Sequence, residues 1–454
     1  MASDRPAISM QTRHMTNPAD LVRADRVHHS AYSDPAIFEL EMERVFGRAW
    51  LLLGHESQIA NPGDYFTTRM GREPVIVTRH RDGSVQVLIN RCTHRGALVC
   101  HEAKGSARQF VCPYHGWVYD TSGELRSVPV VQGYGAGAAQ TFATLGLARA
   151  ARVESYRGFV FASLAAAGPT LKAFLGPIAS SFDDLVDRAP EGEIEIVGGV
   201  FKHAYNGNWK LVLENHLDGV HPNYVHASSV DSARAVTDSA SAQPGAERYA
   251  EIPLRQMRQN GAPEPVWEAL GIWASEWGHG FMGDYHSDSR LVAAMNHPVF
   301  AEYRRRLEAR TGAEEAARIL NVSRFNSVVY PNVSFMSQYR QLRLVHPLAV
   351  DRTVVYTYNI RLKGAPEQMF RDTVAFSNVV NGTASWVLTD DLEVYERIQR
   401  GLSAAMPEWV YLGRGVGGDV EEPDGFRRGA SGTSEVFIRR QFEAWRKYMA
   451  EKSP

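Results

Sequence analysis

The chain has 454 residues, room for about three units of ~150 residues, and its 44% hydrophobic and 22% charged residues are an ordinary globular mix. A miniature disulfide scaffold, wholesale disorder and a fibrous repeat are excluded. Lys and Arg number 49 against 51 Asp and Glu, a net charge of −2, so the basic excess that drives nucleic-acid affinity is missing and no nucleic-acid partner is expected.

In chain order, Met1 to Met15 is polar and has no apolar core ahead of a small-residue cleavage site, so a cytoplasmic location is expected. Asp34 to Trp50 reads as an amphipathic helix, with Ile37, Leu40, Met42, Val45 and Phe46 at helical intervals, and gives a helical arm over residues 1–49 that packs on the catalytic domain. From Trp50 to about Ala165 short β runs such as Pro74–Thr78 and Val85–Ile89 are punctuated by Asp82-Gly83 and Ser122-Gly123 turns, the texture of a small all-β module over 50–165. The longest apolar stretch, Gly158 to Gly168, stops at Pro169, short of the ~20 residues a membrane span needs, so no membrane role is expected. Residues 166–454 alternate helical and strand patterns: a segment Asn206 to Leu217, a Trp/Gly/His-rich stretch from Trp267 to His286, strands near Val328–Phe335 and Thr353–Ile360, and a closing helix Ser434–Ala450. The fold class is α+β, an all-β domain followed by a larger α+β domain with an antiparallel sheet flanked by helices, of helix-grip type.

The three cysteines, Cys92, Cys100 and Cys112, are too few and too clustered for a disulfide framework. Two of them form a pattern with histidines: Cys92-x-His94, seventeen residues, then Cys112-x-x-His115, each pair followed by glycine turn chemistry. Thiolates and imidazoles gathered in this way bind metal, either a structural zinc or a Rieske 2Fe-2S cluster. A zinc finger places its histidines together on a helix, whereas here each loop supplies one Cys and one His, the Rieske arrangement. Cys100 reads as a small buried hydrophobe.

Asn90-Arg91-Cys92-Thr93-His94-Arg95-Gly96 with Cys112-Pro113-Tyr114-His115-Gly116-Trp117 resembles the signature of the large (α) subunits of Rieske ring-hydroxylating oxygenases. A second run, Asn208 to His226, holds Asp218, His221 and His226. Asp218 and His221 are three apart and expected on one helical face, with Pro222 bending the backbone just after His221 so that His226 converges on the same point. Two His and one carboxylate leave open positions on Fe(II) for O2. The resemblance supplies the carboxylate: Thr389 to Glu396 is similar to the family's Asp-Asp-x-Glu-x-aromatic pattern, which implies Asp391, with Asp390 as fallback. It also implies that Asp218 joins His221 to His115 of the next copy in a head-to-tail trimer, and that electrons enter near His94, His115 and an exposed Trp117. His216 has no matching ligand role, and Val220 stands where the family often has an aromatic residue.

The resemblance thus implies a terminal oxygenase with a [2Fe-2S] cluster and a mononuclear Fe(II), fed from NAD(P)H through a ferredoxin or reductase. The expected reaction is cis-dihydroxylation of an aromatic compound, including an aromatic carboxylate. The stretch from Asp391 to Gln399 and the Trp445 helix look like large subunits that pair with a small β subunit, so α3β3 is expected and α3 is the alternative. A Rieske monooxygenase or demethylase is the competing activity, and a zinc-stabilised binding protein without redox chemistry the competing class. Pocket walls are expected at about 267–326 and 381–386.

Overall fold

A computed structural model of the chain describes residues 17–135, 137–240, 257–283, 298–322 and 324–450. Asp34 caps the arm helix by accepting the Ala36 N–H at 2.8 Å, with Pro35 in the first turn where its missing N–H costs nothing. The helix runs Pro35–Arg44, not to Trp50 as the periodicity predicts. Both Val45 and Phe46 donate their N–H to Glu41 O, and Gly47 lies so close to Glu43 O that a Cβ there would sit at 2.2 Å. The chain therefore turns at Val45–Ala49, burying Val45 and Phe46, and enters a strand at Leu51.

Three small antiparallel sheets follow. One orders Val85–Ile89, Glu73–Arg79, Asp64–Met70 and Lys104–Ser106; the second Leu125–Ser127, Val118–Asp120 and Gln109–Val111; the third Arg152–Tyr156, Phe159–Ser163 and Leu51–His55. The predicted turns are present, with Gly83 and Gly123 both at φ +88°, a conformation open to glycine at little cost. Ile76, Leu88, Phe110, Trp117 and Tyr119 form a core that also takes in Cys92, Cys100 and Cys112.

The larger part is built on a nine-stranded antiparallel sheet that runs inward from the edge strand Ile194–Tyr205 through Arg352–Leu362, Gln341–Ala349 and Val333–Met336. Alternation along Gln341–Ala349 sends Leu342 and Leu344 into a core shared with Phe182 and Leu185 of helix Ala179–Asp187. The other face meets helix Glu367–Asn381, where Gln341 Nε2 donates to Ser377 Oγ at 2.7 Å. Helices Trp209–His216 and Val436–Met449 share a further core with the arm. There Glu41, fully buried, accepts from Lys210 Nζ at 2.5 Å, Trp209 Nε1 at 2.8 Å and Trp445 Nε1 at 2.6 Å. A buried charge needs such company, and this one ties three distant segments into one unit. Among the described residues no helix is long and apolar enough to cross a membrane.

Candidate metal centres

The two Cys/His loops fold alike. In the first, Cys92 N–H donates to Ala97 O (2.8 Å) and Gly96 N–H to Cys92 O (2.9 Å); in the second, Cys112 N–H donates to Trp117 O (2.8 Å) and Gly116 N–H to Cys112 O (3.0 Å). Gly96 and Gly116 adopt φ +78° and +68°, so each loop reverses through a glycine that a side chain would strain. The loops place His94 and His115 with ring centroids 4.7 Å apart, above two buried, unbridged thiols. Nδ1 of both rings is buried without a hydrogen-bond partner. Two orphaned imidazole nitrogens beside two thiols fit a 2Fe-2S cluster with Cys92 and Cys112 on one iron and His94 and His115 on the other. Tyr119 Oη lies 3.1 Å from Cys92 Sγ. Burial pushes the Cys92 thiol up, but the Tyr119 hydroxyl and the loop's backbone N–H groups outweigh it and hold the pKa below its ordinary value. Trp117 is not exposed: it is 3% accessible and stacked on His94 at 4.8 Å, within the core. The exposed aromatic is Tyr114, 54% accessible and against the His115 ring at 3.7 Å. Cys100 is buried, its backbone carbonyl and N–H held by the Asn90 side chain.

The second site lies where helix Trp209–His216 ends. Asp218 and His221 do not share a continuous helix: the chain leaves helical geometry at Leu217, and a new short helix, His221–Val225, begins with Pro222 in its first turn. Pro222 opens a helix here and does not end one, because its missing N–H falls among the donors a first turn leaves free. Asp218 Oδ1 takes the Val220 and His221 N–H groups at 2.6 and 2.8 Å. The bend that turns His226 inward comes at His226 itself, where the backbone is no longer helical (φ −99°, ψ 19°).

The carboxylate arrives from the first turn of helix Leu388–Leu402. Ligand atoms of His221, His226 and Asp391 all lie within 4.8 Å of one another. Asp391 Oδ1 is 3.4 Å from His226 Nε2 and 3.9 Å from His221 Nε2. Asp390 does not share that point; its Oδ2 reaches Nδ1 of His226 at 3.4 Å, on the ring's other side. Behind the triad, Asn215 Nδ2 donates to Asp391 Oδ1 at 3.2 Å and Asp218 Oδ1 lies 3.5 Å from His221 Nδ1. Burial pushes Asp218 up, but the His221 ring and the two N–H donors outweigh it and bring it to about 2. Burial pushes His221 down, yet Asp218 and Asp391 raise it overall, so the site is electrostatically built to hold a cation. Two imidazoles and one carboxylate with orienting neighbours fit a mononuclear iron with open positions.

The triad lines a cleft, partly open to solvent, that is also walled by Trp267, Met282, Phe325, Phe376 and Val380. Trp267, Met282, Phe325 and Asn381 fall in the expected wall segments, while 284–297 lies outside the described residues. Arg343 and Phe376 come from a strand and a helix that the sequence did not single out, and Met336 ends the strand expected near Val328–Phe335. A helical stripe was available for the carboxylate: Asp391, Tyr395 and Gln399 are spaced by four and all buried, whereas Asp390 is off that stripe. His216 lines the same cleft, and burial with the Arg343 and His221 charges holds it well below its ordinary pKa.

Comparison with known proteins puts the two donor sets in two different family matches. Residues 49–145 match the Rieske [2Fe-2S] domain and residues 194–451 the ring hydroxylating alpha subunit (catalytic domain). The chain is 35% identical to toluate 1,2-dioxygenase subunit alpha of Pseudomonas putida, over 88% of this chain and 83% of that one. It is 32% identical to 2-halobenzoate 1,2-dioxygenase large subunit of Burkholderia cepacia, over 88% and 82%. A solved naphthalene 1,2-dioxygenase with indole in its active site superposes with a TM-score of 0.80 at 28% identity, covering 96% of each chain.

Proposed function

Because this chain belongs to the family of Rieske ring-hydroxylating oxygenase large (α) subunits, whose cofactors are a [2Fe-2S] cluster and a mononuclear iron, we propose that it performs cis-dihydroxylation of an aromatic ring. Arene, O2, two electrons and two protons give a cis-dihydrodiol, with NAD(P)H as the ultimate reductant through a ferredoxin or reductase. The observation that carries this reading is the presence in one chain of two donor sets of different chemistry, the Cys92/His94/Cys112/His115 loops and the His221/His226/Asp391 triad.

When bound, the cluster relays single electrons and the iron activates O2. The residues do the placing. Cys92 and Cys112 would hold one cluster iron and His94 and His115 the other; His221, His226 and Asp391 would hold the mononuclear iron. Asp218 is a positioning residue: its carboxylate fixes the orientation and tautomer of His221, and its remaining exposure leaves it able to meet His115 of a neighbouring copy in a head-to-tail trimer. Apolar walls from Trp267 to Val380 seat a ring and exclude bulk water from the reacting face. A small β subunit completes an α3β3 assembly, as the "subunit alpha" in the name of the toluate relative suggests. The arm over 1–49, the cluster domain over 50–165 and the catalytic domain over 166–454 are the working units.

The test is oxygen uptake by iron-loaded protein with NADH, a reductase and a panel of arenes, with products analysed after reaction in 18O2. Two labelled oxygens on adjacent ring carbons are expected. A single labelled oxygen would mean monooxygenation or dealkylation, and no uptake across the panel would remove the oxygenase reading. His221→Ala should abolish turnover while leaving the cluster's EPR signal.

A further inference from the structure

The cleft beside the triad contains a cation that no carboxylate among the described residues meets in an ion pair, Asp391 acting on it only through space. Arg343 is carried on the central strand Gln341–Ala349 and is only 8% exposed. Its Nη2 donates to Gln341 Oε1 at 3.1 Å and to the weak acceptor Met336 Sδ at 3.2 Å, while its Nη1 is buried with no partner. No carboxylate among the described residues forms an ion pair with it, although most other buried arginines do or reach a carbonyl: Arg188 pairs with Asp184, and Arg439 with Asp419. A buried charge left unpaired costs several kcal/mol unless something compensates it. Burial accordingly presses Arg343 down to about 10.

The surroundings point to an incoming ligand. Asn381, whose Nδ2 is also buried and unsatisfied, lines the same cleft, so two residues with an unpaired donor, Nη1 and Nδ2, share a wall with the apolar Met336, Phe376 and Val380. Native proteins rarely leave several buried polar atoms unpaired in one cavity without a ligand or water to meet them.

We propose that Arg343, with Asn381 beside it, anchors the carboxylate of an aromatic-acid substrate and so makes this chain selective for arenecarboxylates over neutral arenes. The inference rests on the ring-dihydroxylation reading and names its substrate class. A guanidinium fork matches a carboxylate geometrically, and held by a buried side chain that pair fixes which edge of the ring faces His221, His226 and Asp391. Arg343 is therefore a substrate-binding residue that also sets regiochemistry.

The experiment compares benzoate with its uncharged isostere benzamide. Calorimetric titration of the iron-loaded oxygenase should show benzoate binding at least ~30-fold tighter than benzamide, the worth of a desolvated charged hydrogen bond. Equal affinity overturns the proposal without recourse to any variant. Arg343→Met should weaken benzoate binding on the order of 100-fold, with Arg343→Lys intermediate because it keeps the charge and loses the fork. The ratio of kcat/KM for benzoate to that for toluene should fall by a similar factor in Arg343→Met. A proportional loss on both compounds would show a purely structural residue and overturn the assignment. The underlying reading fails separately: Arg343-dependent benzoate binding with no oxygenated product keeps the anchor and removes the dihydroxylation, whereas cis-diols from neutral arenes with no preference for acids do the reverse.

Discussion

Asp390 Oδ2 sits 3.4 Å from Nδ1 of His226, which leaves Nε2 of the same ring facing Asp391 at 3.4 Å. Two consecutive carboxylates at the start of one helix thus take opposite sides of one imidazole, and only one of them can share a metal with it.

That division predicts different iron contents. Asp391→Ala should purify with about two irons per chain against about three in the parent, since only the cluster remains. Asp390→Ala should keep the site but bind its iron about 10- to 100-fold more weakly, the usual effect of losing a ligand's orienting partner. Iron assay with graded chelator challenge measures both, and the reverse ranking would exchange the two roles.

The hydroxyl of Tyr119 beside Cys92 Sγ predicts a shift in cluster potential. A hydrogen bond to a ligand sulfur favours the reduced, more negative cluster. Tyr119→Phe should therefore lower the midpoint potential, by about 40 mV if the bond is worth about 1 kcal/mol more to the reduced form. Voltammetry reads this directly, and an unchanged potential would mean that the contact does not reach the sulfur's charge.

Lys210 and Glu41 are both wholly buried and paired at 2.5 Å. Removing one partner strands the other's charge, so Lys210→Met should cost about 3–5 kcal/mol in denaturant unfolding. Replacing Glu41 by Leu in the same protein should recover part of that loss, although the Trp209 and Trp445 N–H groups then lose their acceptor.

Glu214 gives a pH dependence. Burial raises its pKa to about 7 from 4.5, and the Glu435 charge adds to the rise, against the opposing pull of Lys210, Tyr32 and Gln441. Between those two values the folded protein holds a proton that the unfolded chain has released, so stability declines as pH rises through the window, by about 3 kcal/mol in total. Glu214→Gln should flatten the fall in melting temperature between about pH 5 and 7. An equally steep profile in the variant would show that another group carries the proton.

How much was legible in the sequence depended on distance along the chain. The pairing within the cluster loops is legible in the sequence, because Cys92 with His94 and Cys112 with His115 are close neighbours whose geometry is fixed by local turns at Gly96 and Gly116. His221 and His226 were readable as a pair, but the path between them was not. Pro222 is compatible with either ending or opening a helix, and Asp218 settled it by capping the new turn. Trp117 reads as a surface aromatic, but the loop ahead of strand Val118–Asp120 stacks it on His94 within the core.

The amino-acid order alone determined which chemistries the chain could perform, since local spacing decides which donors a turn can gather. The tertiary structure decided which of Asp390 and Asp391 lies close to both histidines, and that Arg343 lines the cleft without an ion-pair partner among the described residues. Those relationships join segments more than a hundred residues apart. They are set by how a helix seats on a sheet, through burial that every strand and helix contributes to at once; the four-residue spacing of Asp391, Tyr395 and Gln399 marks a buried face but not what that face meets.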